Sequence, residues 1–129
     1  MREIKFRGKR VDNGEWVYGN LVTYFNKPSI QDYSQTNGEI FSVDPETVGQ
    51  YTGLKDKNGN EIYEGDIVKG HWWKHGESHR HIGIVNYVMN AFKVRGVKQY
   101  LGIDDELSPT YEVIGNRFDN PELLGEVRE

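Results

Sequence analysis

All four histidines of this 129-residue chain lie in one short stretch, His71-Trp72-Trp73-Lys74-His75-Gly76-Glu77-Ser78-His79-Arg80-His81. A spacing of four would set His71, His75 and His79 on one helical face, and a spacing of two would set His79 and His81 on one strand face. Both arrangements suit zinc or nickel. Gly70, Gly76 and the surroundings of Ser78 favour instead a loop between two strands, with histidine as a polar filler. A second group, Glu61, Glu64 and Asp66, has the carboxylates that metal binding or acid–base catalysis needs. No polarising neighbour is visible beside it. Gly65-Asp66 reads better as backbone chemistry: the glycine supplies a special backbone angle, and the aspartate accepts nearby N–H groups. A third run, Asp-Lys-Asn-Gly-Asn-Glu over residues 56–61, superficially resembles a calcium loop. Its twelve-residue spacing puts Ile67 where a bidentate carboxylate must sit. Asn58-Gly59 is therefore expected to be a structural type I′ hairpin turn, with Lys55, Asp56, Lys57 and Asn60 solvated around it.

Residues 69–98 interleave cations with aromatic rings. Lys69, Trp72, Trp73, Lys74, Arg80, Lys93, Arg95 and Lys98 are the candidates for contact with a nucleic acid or another partner, with Tyr87, Phe92 and Tyr100 among them. Small β-barrels grip single strands in this way: cations meet phosphates, and stacked bases contribute roughly 1–3 kcal/mol each. Neutralising about five phosphates would give a log K against log salt slope near −4. The competing reading makes Tyr87 and Phe92 core residues and the Lys and Arg side chains the outward partners of alternating strands.

Charge is blocked along the chain: +4 over residues 1–10, −7 over 11–68, +5 over 69–98 and −6 over 104–129, for a net −4. Such a distribution suits a dipolar surface for self-association or a charged partner, or folds into a mixed surface. There is no P-loop, dinucleotide fingerprint, G-x-S-x-G elbow or H-E-x-x-H. The serines have no His-Asp partner in view, and cysteine is absent. No catalytic residue, no cofactor and no enzymatic activity are expected. The N-terminus MREIKFRGKR has no apolar leader, and no run approaches the roughly 18 apolar residues of a membrane helix. The expectation is a soluble, cytoplasmic protein without membrane contact.

The elements that position these residues are short. Fifteen glycines punctuate segments rich in Val, Ile, Tyr, Phe and Trp, the rhythm of strands and turns. Ile4, Phe6 and Gly8 alternate with charged residues, Asp12-Asn13-Gly14 turns, and residues 15–22 return as a strand. On that strand Trp16, Tyr18 and Val22 share one face, while Val17, Gly19 and Leu21 take the other. Residues 26–40 read as a loop with one edge strand near 29–33. Asp44-Pro45-Glu46 starts a single helical turn with Asp as N-cap. Asn120-Pro121-Glu122-Leu123-Leu124 repeats the device, with Asn120 as cap and Gly125 as stop. Residues 66–69, 83–88, 91–94, 99–103 and 111–115 give five short strands that look like a small SH3-type barrel. The expected organisation is mainly β: an N-terminal β region at 1–47 packed on an SH3-type barrel at 48–129, with helix only as short turns.

Three stretches carry a family resemblance: REIKFRG at 2–8, VGQYTGLKDKNGNEIYEGDIVK at 48–69 and YEVIGNRFDNPELL at 111–124. Together they resemble the YopX family of phage and prophage proteins, leaving 25–40 and 71–81 as variable insertions. The resemblance implies a mostly β, phage-encoded protein acting in the bacterial cytoplasm and assembling as an oligomer. It implies no activity and transfers no catalytic residue. The function expected is a non-enzymatic module that binds itself or a host or phage protein. The alternative is a nucleic-acid-binding small barrel using residues 69–98.

Overall fold

The computed structural model describes residues 4–74, 76–88, 91–97 and 104–125. The chain divides into two compact units, Met1–Gly53 and Leu54–Glu129. The strands are β1 (Phe6–Lys9), β2 (Trp16–Tyr24), β3 (Lys27–Asp32), β4 (Glu39–Ser42), β5 (Gly49–Lys55), β6 (Glu61–Tyr63), β7 (Asp66–Lys74), β8 (Glu77–Val88), β9 (Ala91–Gly96), β10 (Asp104–Glu106) and β11 (Glu112–Asn116). A 3₁₀ turn, Pro45–Thr47, and a short helix α1, Glu122–Gly125, complete the elements. The fold is thus mainly β, as the sequence predicts. The strands form two antiparallel sheets, ordered β4-β3-β2-β1-β5-β6 and β10-β9-β8-β7-β11.

In the first unit β1 and β2 form the expected hairpin, with Arg7 opposite Tyr18 and Lys9 opposite Trp16. The odd-numbered side chain Val17 joins Ile30 and Val43 in the core, with Phe6, Phe41 and Val48 packed against them. Each such apolar side chain, fully buried, adds roughly 1.5–3 kcal/mol. Residues 26–40 are more ordered than their polar composition suggests. β3 is an inner strand, paired with β2 from Asn20↔Gln31 to Tyr24↔Lys27 and with β4 from Ser29↔Ser42 to Asp32↔Glu39. Its buried members include Ser29 and Asp32, whose hydrogen bonds replace the apolar alternation that a sequence reading looks for. The Asp32 carboxylate accepts from the Ser34 amide and hydroxyl, both at 2.8 Å, and from the Gln35 amide at 3.2 Å.

The second unit has its own core of Ile62, Val68, Val85, Phe92, Val94, Leu107 and Tyr111, flanked by Leu54 and Val113. Its sheet is a meander from β7 to β10, with β11 returning to pair with β7. Among the described residues no pairing joins β10 to β11, so the sheet is open and the expected SH3-type barrel closure is not seen. Of residues 71–81, expected as a loop, 71–74 and 77–81 instead extend β7 and β8 into a long hairpin. Its register runs from Ile67↔Ile84 to Lys74↔Glu77.

The turn at Asn58-Gly59 also differs from expectation. Gly59 has φ +87°, whereas Asn58 is not left-handed. The Gly59 amide donates to the Asp56 carbonyl at 3.0 Å, and the Asp56 amide to the Asn60 carbonyl at 2.7 Å. This is a three-residue loop closed by a left-handed glycine rather than a type I′ turn. Asp56 is buried and not solvated. At the other helical start, Asp44 caps as predicted, accepting from the Glu46 amide at 3.1 Å. Asn120 does not; its Oδ1 accepts from the Asn116 amide at 3.1 Å.

Candidate functional site

Two places in the first unit expose aromatic rings. The tighter is the turn between β2 and β3. Phe25 and Asn26 both adopt left-handed backbone, φ 51° and 62°. This is the two-residue turn whose twist suits paired strands, yet Phe carries a Cβ penalty at such an angle that Gly does not. The Phe25 ring is 81% exposed and meets the Tyr24 ring edge to face, centroids 4.4 Å apart. Tyr24 is exposed as well, and Lys27 lies directly across from it.

The second place is a concavity of about 340 Å³ lined by Ile4, Lys5, Tyr18, Gly19, Asn20, Gln31, Tyr33 and Ser34. Asn20 and Gln31 are direct cross-strand partners. The Gln31 amide nitrogen donates to the Gly38 carbonyl at 3.2 Å. The N-terminal cations nearby are engaged with rings. Lys5 Nζ lies 5.3 Å from the Tyr51 centroid, Arg7 and Lys9 lie 4.5 and 5.5 Å from that of Trp16, and Arg10 lies 4.3 Å from that of Phe41. Trp16, Tyr18 and Val22 occupy alternate positions of β2, as the sequence predicts.

In the second unit four candidate cations stand across from acidic residues in the strand register, a ladder of positions that sequence reasoning missed. Lys69 is opposite Glu112, Lys74 opposite Glu77, Lys93 opposite Glu106 and Arg95 opposite Asp104. Lys69, Arg80 and Arg95 are exposed, Lys93 half-buried, and Arg80 is opposite His71. Trp72 and Trp73 hold β7 positions opposite His79 and Ser78. Lys98 and His75 lie outside the described residues. The alternation was visible in the sequence; the acidic partners come from β8, β10 and β11, whose registers no local pattern encodes.

The histidines separate. His71 is exposed on β7, while His81 is fully buried, with Nδ1 3.0 Å from the Tyr111 hydroxyl oxygen. Tyr111 lies over Gly70, where an added Cβ would stand 2.5 Å from its ring. Among the described residues no group of three His, Cys, Asp or Glu side chains is placed to hold a metal ion. The carboxylate group is spent on structure as well. Asp66 is buried and accepts from the Tyr63 amide at 2.8 Å, Glu61 accepts from the Tyr63 hydroxyl at 2.9 Å, and Gly65 has φ +93°. No helix among the described residues is long and apolar enough to cross a membrane.

These features define a two-sheet antiparallel β protein whose exposed aromatic rings and charge ladder are its chemically distinctive surfaces. A family profile described as YopX protein matches residues 5–125, and the chain belongs to that family. It is similar to a crystal structure of protein EF1440 from Enterococcus faecalis. The similarity has a TM-score of 0.54 and 26% identity, covering 96% of this chain and 99% of that one. No curated protein matches.

Proposed function

We propose that this protein works without catalysis, as a self-associating or protein-binding β module of a phage or prophage in the bacterial cytoplasm. The Tyr24-Phe25 hairpin tip carries this reading. A strained left-handed Phe with its ring in water costs stability twice, once in backbone energy and once in exposed apolar surface. Burial in a partner offsets the second cost. Aromatic anchors on stiff elements are also the commonest dominant residues of protein interfaces, because few rotamers are lost on docking. The phage origin rests on the family resemblance.

Sedimentation over a wide concentration range, paired with capture from infected-cell lysate, tests the proposal using wild type and Phe25→Asn. Association or stoichiometric capture that the substitution abolishes supports it. A monomer at every concentration, with no Phe25-dependent partner, overturns it. The alternative, a nucleic-acid module using residues 69–98, draws on the exposed Lys69, Arg80 and Arg95. Its phosphate-binding field is weakened by the acidic residues Glu112 and Glu106, which stand opposite Lys69 and Lys93 in the strand register.

A further inference from the structure

The concavity beside β2 combines exposed rings with side-chain amides and one cation. Tyr18 and Tyr33 line it with rings that are 39% and 63% exposed. Tyr33 is braced from behind: a Cβ on Gly38 would stand 2.6 Å from its ring. One ring side is thereby held and the rest left open. The same lining holds two amides in cross-strand register, Asn20 and Gln31. Gln31 is oriented by its bond to the Gly38 carbonyl. Among the described residues no hydrogen bond engages the Asn20 side chain or the Gln31 amide oxygen. The Ser34 hydroxyl donates to Asp32 Oδ1 and keeps its lone pairs for an incoming donor. Lys5 is the charged member of the lining.

Planar rings, paired donors and acceptors, and one cation match a planar heterocycle that carries a negative group. Stacking on tyrosine uses the π-face of a base, and an Asn or Gln amide presents the donor–acceptor pair that reads a base edge. A volume of about 340 Å³ falls within the range of small-ligand sites. We propose that this concavity binds a nucleobase bearing a phosphate. The base stacks on Tyr18 and Tyr33, its polar edge meets Asn20 and Gln31, and the phosphate lies beside Lys5. The source is a free nucleotide or one residue of a single strand. This site differs in position and chemistry from both the Phe25 tip and the 69–98 surface.

The test is a titration of the full chain with common ribonucleoside monophosphates, their unphosphorylated nucleosides, short single-stranded oligonucleotides and neutral monosaccharides. Intrinsic tyrosine fluorescence and ligand-observed NMR supply the readouts. Saturable binding of a nucleotide or oligonucleotide is expected. Tyr33→Ala should weaken it about tenfold, the scale of one lost stacking partner, and Asn20→Ala should weaken it several-fold. Both residues are exposed, so melting curves should stay at wild type, and Tyr33→Phe should retain binding. Lys5→Ala should weaken the phosphorylated ligand more than its nucleoside. Equal affinity for mononucleotide and oligonucleotide identifies a free nucleotide as ligand. Tighter, salt-sensitive oligonucleotide binding identifies a single strand, and either result supports the proposal. Binding of neutral sugars alone, no binding at all, or nucleotide binding untouched by Tyr33→Ala and Asn20→Ala overturns it.

Discussion

Asp56 Oδ2 accepts the backbone amide of Val113 at 2.9 Å, joining positions 57 residues apart. The same carboxylate takes the Asn58 and Asn60 amides on Oδ1 at 2.8 and 2.9 Å. One buried side chain therefore closes the 56–60 loop and satisfies an amide of β11, an edge strand of its sheet. Asp56→Ala removes the acceptor from three amides. An unsatisfied buried donor costs about 1–3 kcal/mol. With partial rescue by water, a loss of about 2–4 kcal/mol follows, measurable as a lower urea midpoint. Asp56→Asn keeps one carbonyl acceptor and should lose less. A wild-type midpoint for Asp56→Ala would show that the loop closes without its carboxylate.

The same carboxylate sets an acid limit. Burial opposes ionisation of Asp56, but the Val113, Asn60 and Asn58 amides and the Asn60 side chain outweigh it, holding its carboxyl below the ordinary 3.8. Burial likewise opposes ionisation of Asp32, and the Ser34 hydroxyl with the Gln35 and Ser34 amides again prevails. Groups depressed on folding contribute stability that is fully present above their unfolded pKa and lost as pH falls through the folded value. From these two residues, stability should hold steady at neutral and mildly acidic pH and then fall below about pH 3.8. Asp56→Asn combined with Asp32→Asn should flatten that limb in urea melts taken across the acid range. An acid limb as steep as wild type in the double variant would assign it to other carboxylates.

Tyr111 needs the bare face of Gly70. A methyl at Gly70 would lie 2.5 Å from the Tyr111 ring, which also holds the buried His81 through its hydroxyl. Gly70→Ala should cost about 1–3 kcal/mol through overpacking. In a Tyr111→Leu background the same substitution should cost much less, because the colliding ring is gone. The double-mutant cycle reads that coupling directly. Additive losses would mean that the ring moves aside freely.

The sequence made the β1–β2 hairpin, the Asp44 cap and the buried place of Phe92 legible, since each follows from a local pattern, whereas Tyr87, read as core beside it, is 49% exposed. Three features were hidden because turn signals and hydrophobic alternation alone do not decide them. Asn58-Gly59 is the strongest local signal for a left-handed two-residue turn, yet the Asp56 carboxylate organises that loop as a longer one. The left-handed pair falls on Phe25-Asn26, where only the β2–β3 register demands it. β3 was legible only as an edge strand near 29–33, because Ser29 and Asp32 are buried by hydrogen bonding rather than hydrophobicity. The aromatic concavity has the same origin, since Tyr18, Asn20, Gln31 and Tyr33 come together only once β2 and β3 pair.

The charge ladder predicts a stability cost without a nucleic-acid phenotype. Lys93→Glu and Arg95→Glu would set like charges opposite Glu106 and Asp104. Each such pair costs about 0.2–1 kcal/mol on a sheet. The double variant should therefore melt earlier, and moderate salt should restore part of the loss by screening. Fluorescence anisotropy with single- and double-stranded DNA and RNA should not distinguish it from wild type at low salt. Salt-steep binding that disappears in this variant would move the functional surface to residues 69–98.

Phe25 is where stability and function should separate. Left-handed backbone costs a residue with a Cβ roughly 1–2 kcal/mol relative to glycine, and Asn tolerates it better than a bulky ring. Phe25→Asn removes that strain and takes an aromatic ring, 81% exposed, out of water. The lone folded chain should gain about 0.5–1 kcal/mol, a part of that left-handed penalty. Association with itself or a partner should fall at the same time, since the ring is the proposed anchor. Thermal melts at low concentration measure the first effect, and sedimentation or capture measures the second. A ring kept only for folding would give the opposite pattern, with lower stability and unchanged association. The proposed function requires the variant to melt later and bind less.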